Sequence, residues 1–330
     1  MTARTRTFRI AALGAAVVLA ATACSGGGRE KTEESDTGGG NAAGSSGYTI
    51  AFITHETPGD TFWDKVKNGA NQAAKDTGVT LKYSNDPEAP KQAVLIQNAV
   101  DSKVSGIATT LVTPDALAGA VKAATDAKIP VVGFNSGIND YQRLGALMYF
   151  GSDETLAGTE AGKKLAEQGA KHPLCVIQQT GSVALEARCA GVKSSVPGTE
   201  NIQVNGADDA AVTSTLQAKL AQDKSIDSIV TLGAPQALDA IKARQQAGSQ
   251  AKLVTFDLNE QAATEIKSGN ILFSIDQQPY VQGYMAVTSL YLNLKNGNDI
   301  GGGKAVLTGP SFVDSANIDK ILPFTKNNTR

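Results

Sequence analysis

The chain has 330 residues, 41% of them hydrophobic and 19% charged, a composition that excludes a wholly disordered protein. Lys and Arg number 30 against 32 Asp and Glu, a net charge of -2, so there is no cationic excess with which to displace phosphate counterions and nucleic acid is excluded as a partner. With two His and three Cys the chain is poor in metal ligands, and neither a metal nor a cofactor is expected.

The N-terminus indicates the compartment. Arg4, Arg6 and Arg9 precede an apolar run from Ile10 to Ala20, which is too short to span a bilayer and suits a cleaved signal peptide over residues 1–23. The run closes with Ala21-Thr22-Ala23-Cys24 and continues into Ser25-Gly26-Gly27-Gly28. This resembles the lipobox of bacterial lipoproteins, in which the Cys is lipidated and becomes the mature N-terminus; the alternative is a secretory signal with an incidental Cys. Residues 24–47 carry no large apolar side chain and read as a disordered Gly/Ser-rich tether. The expected product is a soluble body held outside the cytoplasmic membrane by a lipid on Cys24.

The body alternates strand and helix. The run Tyr48–Thr54 is apolar and β-branched, as in a buried parallel strand. Residues 61–77 have helical spacing and end at Gly78. A strand at 79–83, a helix at 90–102, a strand at 106–110, a helix from 113 to about 127 and a strand at 129–134 follow. Residues 147–150 read as a short strand, and Gly151-Ser152-Asp153-Glu154 as a helix start. The pattern then restarts, with strands at 174–178, 202–205, 226–232, 252–256 and 271–276. The helices between and after them fall at 185–195, 210–221, 236–246, 259–267 and 279–294. This is an α/β fold of two similar, doubly wound parallel-sheet halves.

Ligands of such sheets bind beyond the carboxyl ends of the strands. Those positions carry His55 through Trp63, Asn135-Ser136, Gln179-Thr180-Gly181, Asp208-Asp209, Gly233-Ala234-Pro235, Asp257 and Asp276-Gln277. Acids, amides and two aromatics without clustered cations suit a neutral polyhydroxylated ligand, whose hydroxyls bond carboxylates and amides while an aromatic ring covers its apolar face. Structural readings stand beside these. Of Phe62 and Trp63, one is expected in the core and one in the pocket. Asp60 or Thr61 could serve only as a helix cap, Asp257 likewise, and Asn135 as a turn residue. His55 and His172 read as ordinary loop residues.

Gly-Asp-Thr-Phe-Trp-Asp at 59–64, Ile129–Asn135 (IPVVGFN), Gly151–Gly158 (GSDETLAG), Leu253–Asp257 (LVTFD) and Ser274–Pro279 (SIDQQP) together resemble the ribose-binding branch of the type I periplasmic sugar-binding proteins, over residues 48 to about 315. The resemblance implies two lobes, 48–150 plus 278–308 and 151–277 plus 309–326, joined by a three-crossover hinge. It implies a non-enzymatic solute receptor that captures a small neutral sugar or polyol and presents it, as a monomer, to the permease and ATPase of an ABC importer. It also implies ligand contacts from Asp60, Phe62, Trp63, Asn135, Asp257 and Gln277. The chain departs from the pattern at Ser136 and Glu186, where the family places Arg, with Arg188 able to replace the latter by a shift of two. Gly233 stands for an expected Asn, and Ala207 is near an expected aromatic. These departures point away from ribose held in the usual way. A receptor for a sugar or furanosyl signal, acting through a membrane sensor, is the alternative to transport.

Cys175 and Cys189 lie on a strand and on the helix that packs back against it. Outside the cytoplasm they can form a disulfide, the alternative being two buried thiols. No Gly-rich turn follows the first strand as a dinucleotide site needs, and no Gly-x-Ser-x-Gly elbow is present.

Overall fold

A computed structural model of the chain describes residues 44–330. The expectations for the signal peptide, for Cys24 and for most of the tether lie outside the described residues. The first half runs β1 (Thr49–Thr54), α1 (Phe62–Thr77), β2 (Thr80–Asn85), α2 (Ala89–Asp101), β3 (Gly106–Thr110), α3 (Pro114–Asp126), β4 (Val131–Phe134) and β5 (Met148–Ser152). The second runs α4 (Glu154–Glu167), β6 (Pro173–Ile177), α5 (Val183–Ser195), β7 (Glu200–Gln203), α6 (Asp209–Gln222), β8 (Ser228–Thr231), α7 (Ala234–Gln246), β9 (Lys252–Phe256), α8 (Glu260–Lys267) and β10 (Phe273–Asp276). The chain then forms α9 (Pro279–Asn296), β11 (Val306–Gly309), β12 (Ser311–Asp314) and α10 (Ile318–Lys326).

Two six-stranded sheets result, in the orders β11-β5-β4-β3-β1-β2 and β12-β10-β9-β8-β6-β7. All pairings are parallel except β10 with β12. Each sheet thus repeats one doubly wound order and takes its last strand from the segment after α9. Both sheets are covered on both faces. In β1, Ile50 and Phe52 pack into one layer while Ala51 and Ile53 pack into the other; Leu174 and Val176 of β6 are separated in the same way from Cys175 and Ile177. Continuous apolar runs are what two-sided burial requires.

The structure moves some expected boundaries. Strand β5 continues through Gly151 and Ser152, so the helix begins only at Glu154, where the Asp153 carboxylate caps the Leu156 N–H at 2.9 Å. Strand β7 starts two residues earlier than expected because this edge strand is half exposed and its apolar signal is thin. The elements after residue 296 gave no sequence signal: β11 and β12 have four residues each, and α10 contains Pro323, a residue that argues against helix.

Helix pairs meet backbone to backbone. A Cβ at Gly69 of α1 would lie 2.0 Å from the Tyr280 carbonyl oxygen of α9, and one at Gly283 of α9 would lie 2.0 Å from that of Val66. Helices α4 and α5 repeat this contact, with a Cβ at Gly158 falling 2.1 Å from the Arg188 carbonyl oxygen. A disulfide between Cys175 of β6 and Cys189 fixes α5 to its sheet. Gly158→Ala is expected to destabilise the protein by about 1–3 kcal/mol in urea unfolding, because the obstructing atom is main chain and cannot swing aside. Replacing both Cys175 and Cys189 by Ala should cost about 3 kcal/mol in the same assay, the entropy of a loop of this length; an unchanged midpoint would refute it.

Candidate functional site

The carboxyl ends of the central strands of both sheets converge on a cavity of about 70 Å³. At roughly 10–15 Å³ of such space per water, this holds about five waters, or one hydroxyl-bearing six-membered ring.

The wall from the first sheet is the turn between β1 and α1. It brings His55, Thr57, Asp60, Phe62 and Trp63 to the cavity. Asp60 accepts the Phe62 N–H at 3.0 Å, so one carboxylate both caps α1 and faces the cleft. Burial raises its pKa. Phe62 and Trp63 both line the cavity and both belong to the core, which corrects the expectation of one each. They open a helix that points its N-terminus at the cleft, so successive side chains reach over the same space. Their rings meet edge to face at 5.1 Å, and His55 meets Trp63 at 4.8 Å. His55 is no ordinary loop residue. It is buried, its Nδ1 lies 2.8 Å from Thr110 Oγ1, and burial lowers its pKa to about 3, so it is neutral across the physiological range.

Asn135 and Asp257 occupy equivalent places, directly after β4 and β9. Both have left-handed backbones, with φ of 64° and 63°. Each donates its N–H to the neighbouring strand, Asn135 to Phe150 and Asp257 to Ile275, at 2.9 Å. Asn and Asp tolerate this conformation, and it turns both side chains into the cavity from opposite sheets. Gln277, at the crossing between β10 and α9, joins them: its Nε2 donates to Asp257 Oδ1 at 2.9 Å, and its Oε1 accepts from Asn135 Nδ2 at 3.2 Å. Gln282 and Thr308 extend this chain to β11.

The Asp257 carboxyl is pushed up to about 7 by burial, with Arg188 and the Gln277 hydrogen bond opposing the shift. Arg188 Nη1 lies 3.8 Å from Asp257 Oδ2 and donates to the Leu232 carbonyl at 3.1 Å, while Nε donates to Glu154 at 2.5 Å. The guanidinium stacks on Phe256 at 4.6 Å. Of the two alternatives on α5, the structure brings Arg188 to the cavity, whereas Glu186 is exposed and does not line it. Leu185 and Arg188, three residues apart, share the inner helix face, and Glu186 is one residue out of phase. Ser136, where Arg was expected, is buried but is not part of the lining. Asp208 caps α6 through Ala211 and does not reach the cavity. Beneath the cavity Lys65 is 1% exposed and donates to the Thr61 carbonyl at 3.1 Å. Burial pulls its pKa down, and Asp257 and Asp60 oppose the change.

Gln178, Ser182 and Gln236 also line the cavity and were not singled out from sequence. Gln178 follows the last residue of β6, one position earlier than the expected strand end, and Gln236 lies within the first turn of α7 rather than at a strand end. Away from the cleft, His172, Glu200 and Asp223 lie within 4.8 Å of one another. Lys219 Nζ is 2.8 Å from Glu200 and 3.7 Å from Asp223, so this group already contains a cation of the chain's own.

Comparison with known proteins agrees with this geometry. The periplasmic binding protein domain matches residues 50–299. A carbohydrate transporter protein of Acidothermus cellulolyticus, solved in complex with myo-inositol, is 54% identical and superposes with a TM-score of 0.85 over 86% of this chain and 99% of that one. The xylose/arabinose-binding protein of Sulfolobus acidocaldarius is 25% identical over 83% of this chain and 73% of its own length. The ribose import binding protein of Haemophilus influenzae is 25% identical over 75% and 85%. With a family match across most of its length and a cleft between two doubly wound sheets, the chain belongs to the periplasmic binding protein family.

Proposed function

We propose that the cleft captures one neutral ring bearing several hydroxyls, a monosaccharide or a cyclitol, and that the protein delivers it to an ABC importer. The chain is a binding protein and not an enzyme. The observation that carries the ligand class is the set of groups facing one ring-sized space: carboxylates from Asp60 and Asp257, amides from Asn135 and Gln277, and the Phe62 and Trp63 rings. Carboxylates and amides accept from hydroxyls, and aromatic faces cover ring C–H groups. Arg188 is engaged by Glu154 and Asp257, which leaves little cationic charge for a phosphorylated ligand. The relative solved with myo-inositol supports including cyclitols.

The proposed mechanism is capture by differential affinity. Lobes built on the two sheets, with crossings beside Ser152, Gln277 and Gly309, close on a ligand that touches both. An extracytoplasmic location follows from the family, and lipid anchoring through Cys24 and a monomeric state complete the reading.

A thermal-shift screen of neutral monosaccharides and inositols tests this. A ligand at 1,000 times its Kd adds about 4.1 kcal/mol to stability, which moves the melting temperature by several degrees. No shift with any neutral ring would refute the ligand class. A ligand hydroxyl donating to Asp257 favours the ionised carboxylate, so affinity should rise as pH increases through about 7 and level off above it. Asp257→Asn should weaken binding about tenfold to a hundredfold above pH 8 and remove the pH dependence near 7, as read by titration calorimetry.

A further inference from the structure

We propose that Gln178 and Gln236 choose among ring polyols, through two side-chain amides that meet over Gly233; this rests on reading the cleft as a polyol site. A Cβ at Gly233 would lie 2.6 Å from Gln236 Oε1 and 3.1 Å from Gln178 Nε2. A Cβ at Gly206 would lie 2.7 Å from Gln178 Cβ. The two amides therefore fill the volume that a side chain at 233 would take, and the glycines at 206 and 233 are what admit them. The missing Asn at 233 is thereby explained: its place in the wall is taken by groups arriving from β6 and from the first turn of α7.

These amides differ from those at the crossing. The Asn135, Gln277 and Gln282 heads bond one another. Gln178 Oε1 is buried and has no partner among the described residues. Among the described residues Gln236 Nε2 reaches only the Gly206 carbonyl, at 3.5 Å, the outer limit of a hydrogen bond. A buried acceptor without a donor is unfavourable unless something else supplies one, and both side chains line the cavity. A hydroxyl both donates and accepts, as does an amide. Two adjacent amide heads match two neighbouring hydroxyls on one edge of a ring. A stereoisomer that turns one of those hydroxyls to the other face leaves an amide unbonded, and discrimination follows from that loss.

Titration calorimetry with myo-inositol, scyllo-inositol, epi-inositol and D-ribose tests the proposal on the wild-type protein and on Gln178→Met, Gln236→Met and Gly233→Asn. The Met variants keep side-chain length and remove the amide. The Asn variant keeps both glutamines and displaces their heads. The preferred probe of the wild type should lose about tenfold or more in each variant, and the order of preference among the four should change. Gly233→Ala, which moves the same heads with the smallest addition, gives the same reading if a Met variant fails to fold. Wild-type binding with an unchanged order in every variant overturns the proposal alone, whether affinities stay level or fall together. A wild type that binds none of the four probes, nor any neutral ring in the thermal screen, overturns both the proposal and the reading beneath it.

Discussion

The contact between Arg188 and Asp257 organises the cleft. A carboxylate so removed from water is unfavourable unless charge and hydrogen bonds compensate it, and each compensating group has a structural consequence. Arg188 is itself buried, so it needs Glu154 and the Leu232 carbonyl, which brings the start of α4 and the end of β8 to the same point. Asp257 needs Gln277, which anchors a crossing between the halves. Gln277 in turn holds Asn135 of the opposite sheet. The glycine contact between α4 and α5 and the disulfide at Cys189 set the height at which Arg188 stands.

The internal repeat places the site as well as the scaffold. Phe134-Asn135 and Phe256-Asp257 end equivalent strands with the same left-handed turn. One half presents an amide there and the other a carboxylate. A ligand between them meets a neutral group on one side and a titratable one on the other. The opposing aromatic wall comes from the first half alone.

Much of this was legible in the sequence, for a physical reason. Strands buried on both faces write continuous apolar runs, and short glycine-marked turns separate them from helices, so the alternation can be read directly. Asn135, Asp257 and Gln277 were visible because they stand immediately beyond strand ends, and Asp60 because it lies in the turn between β1 and the start of α1. Gln236 was not, since it projects from within a helix, and its role depends on the absence of a side chain at Gly233. The choice between Glu186 and Arg188 needed the rotation of α5 about its axis, which the mixed polarity of its residues does not specify. The strands after α9 were illegible because each is four residues long and is recruited to a sheet built from distant sequence.

The glycine contact between α1 and α9 has a mechanical consequence. Helix α9 begins at the crossing, just after the left-handed Gln278, and its backbone lies directly against that of α1. With no side chains between them to yield, the two helices behave as one stiff lever. Phe62 and Trp63 open one of these helices and the crossing opens the other, so the rings and the crossing stand together at the cleft end of that lever. Force applied to the rings by a bound molecule therefore reaches the pivot with little elastic loss.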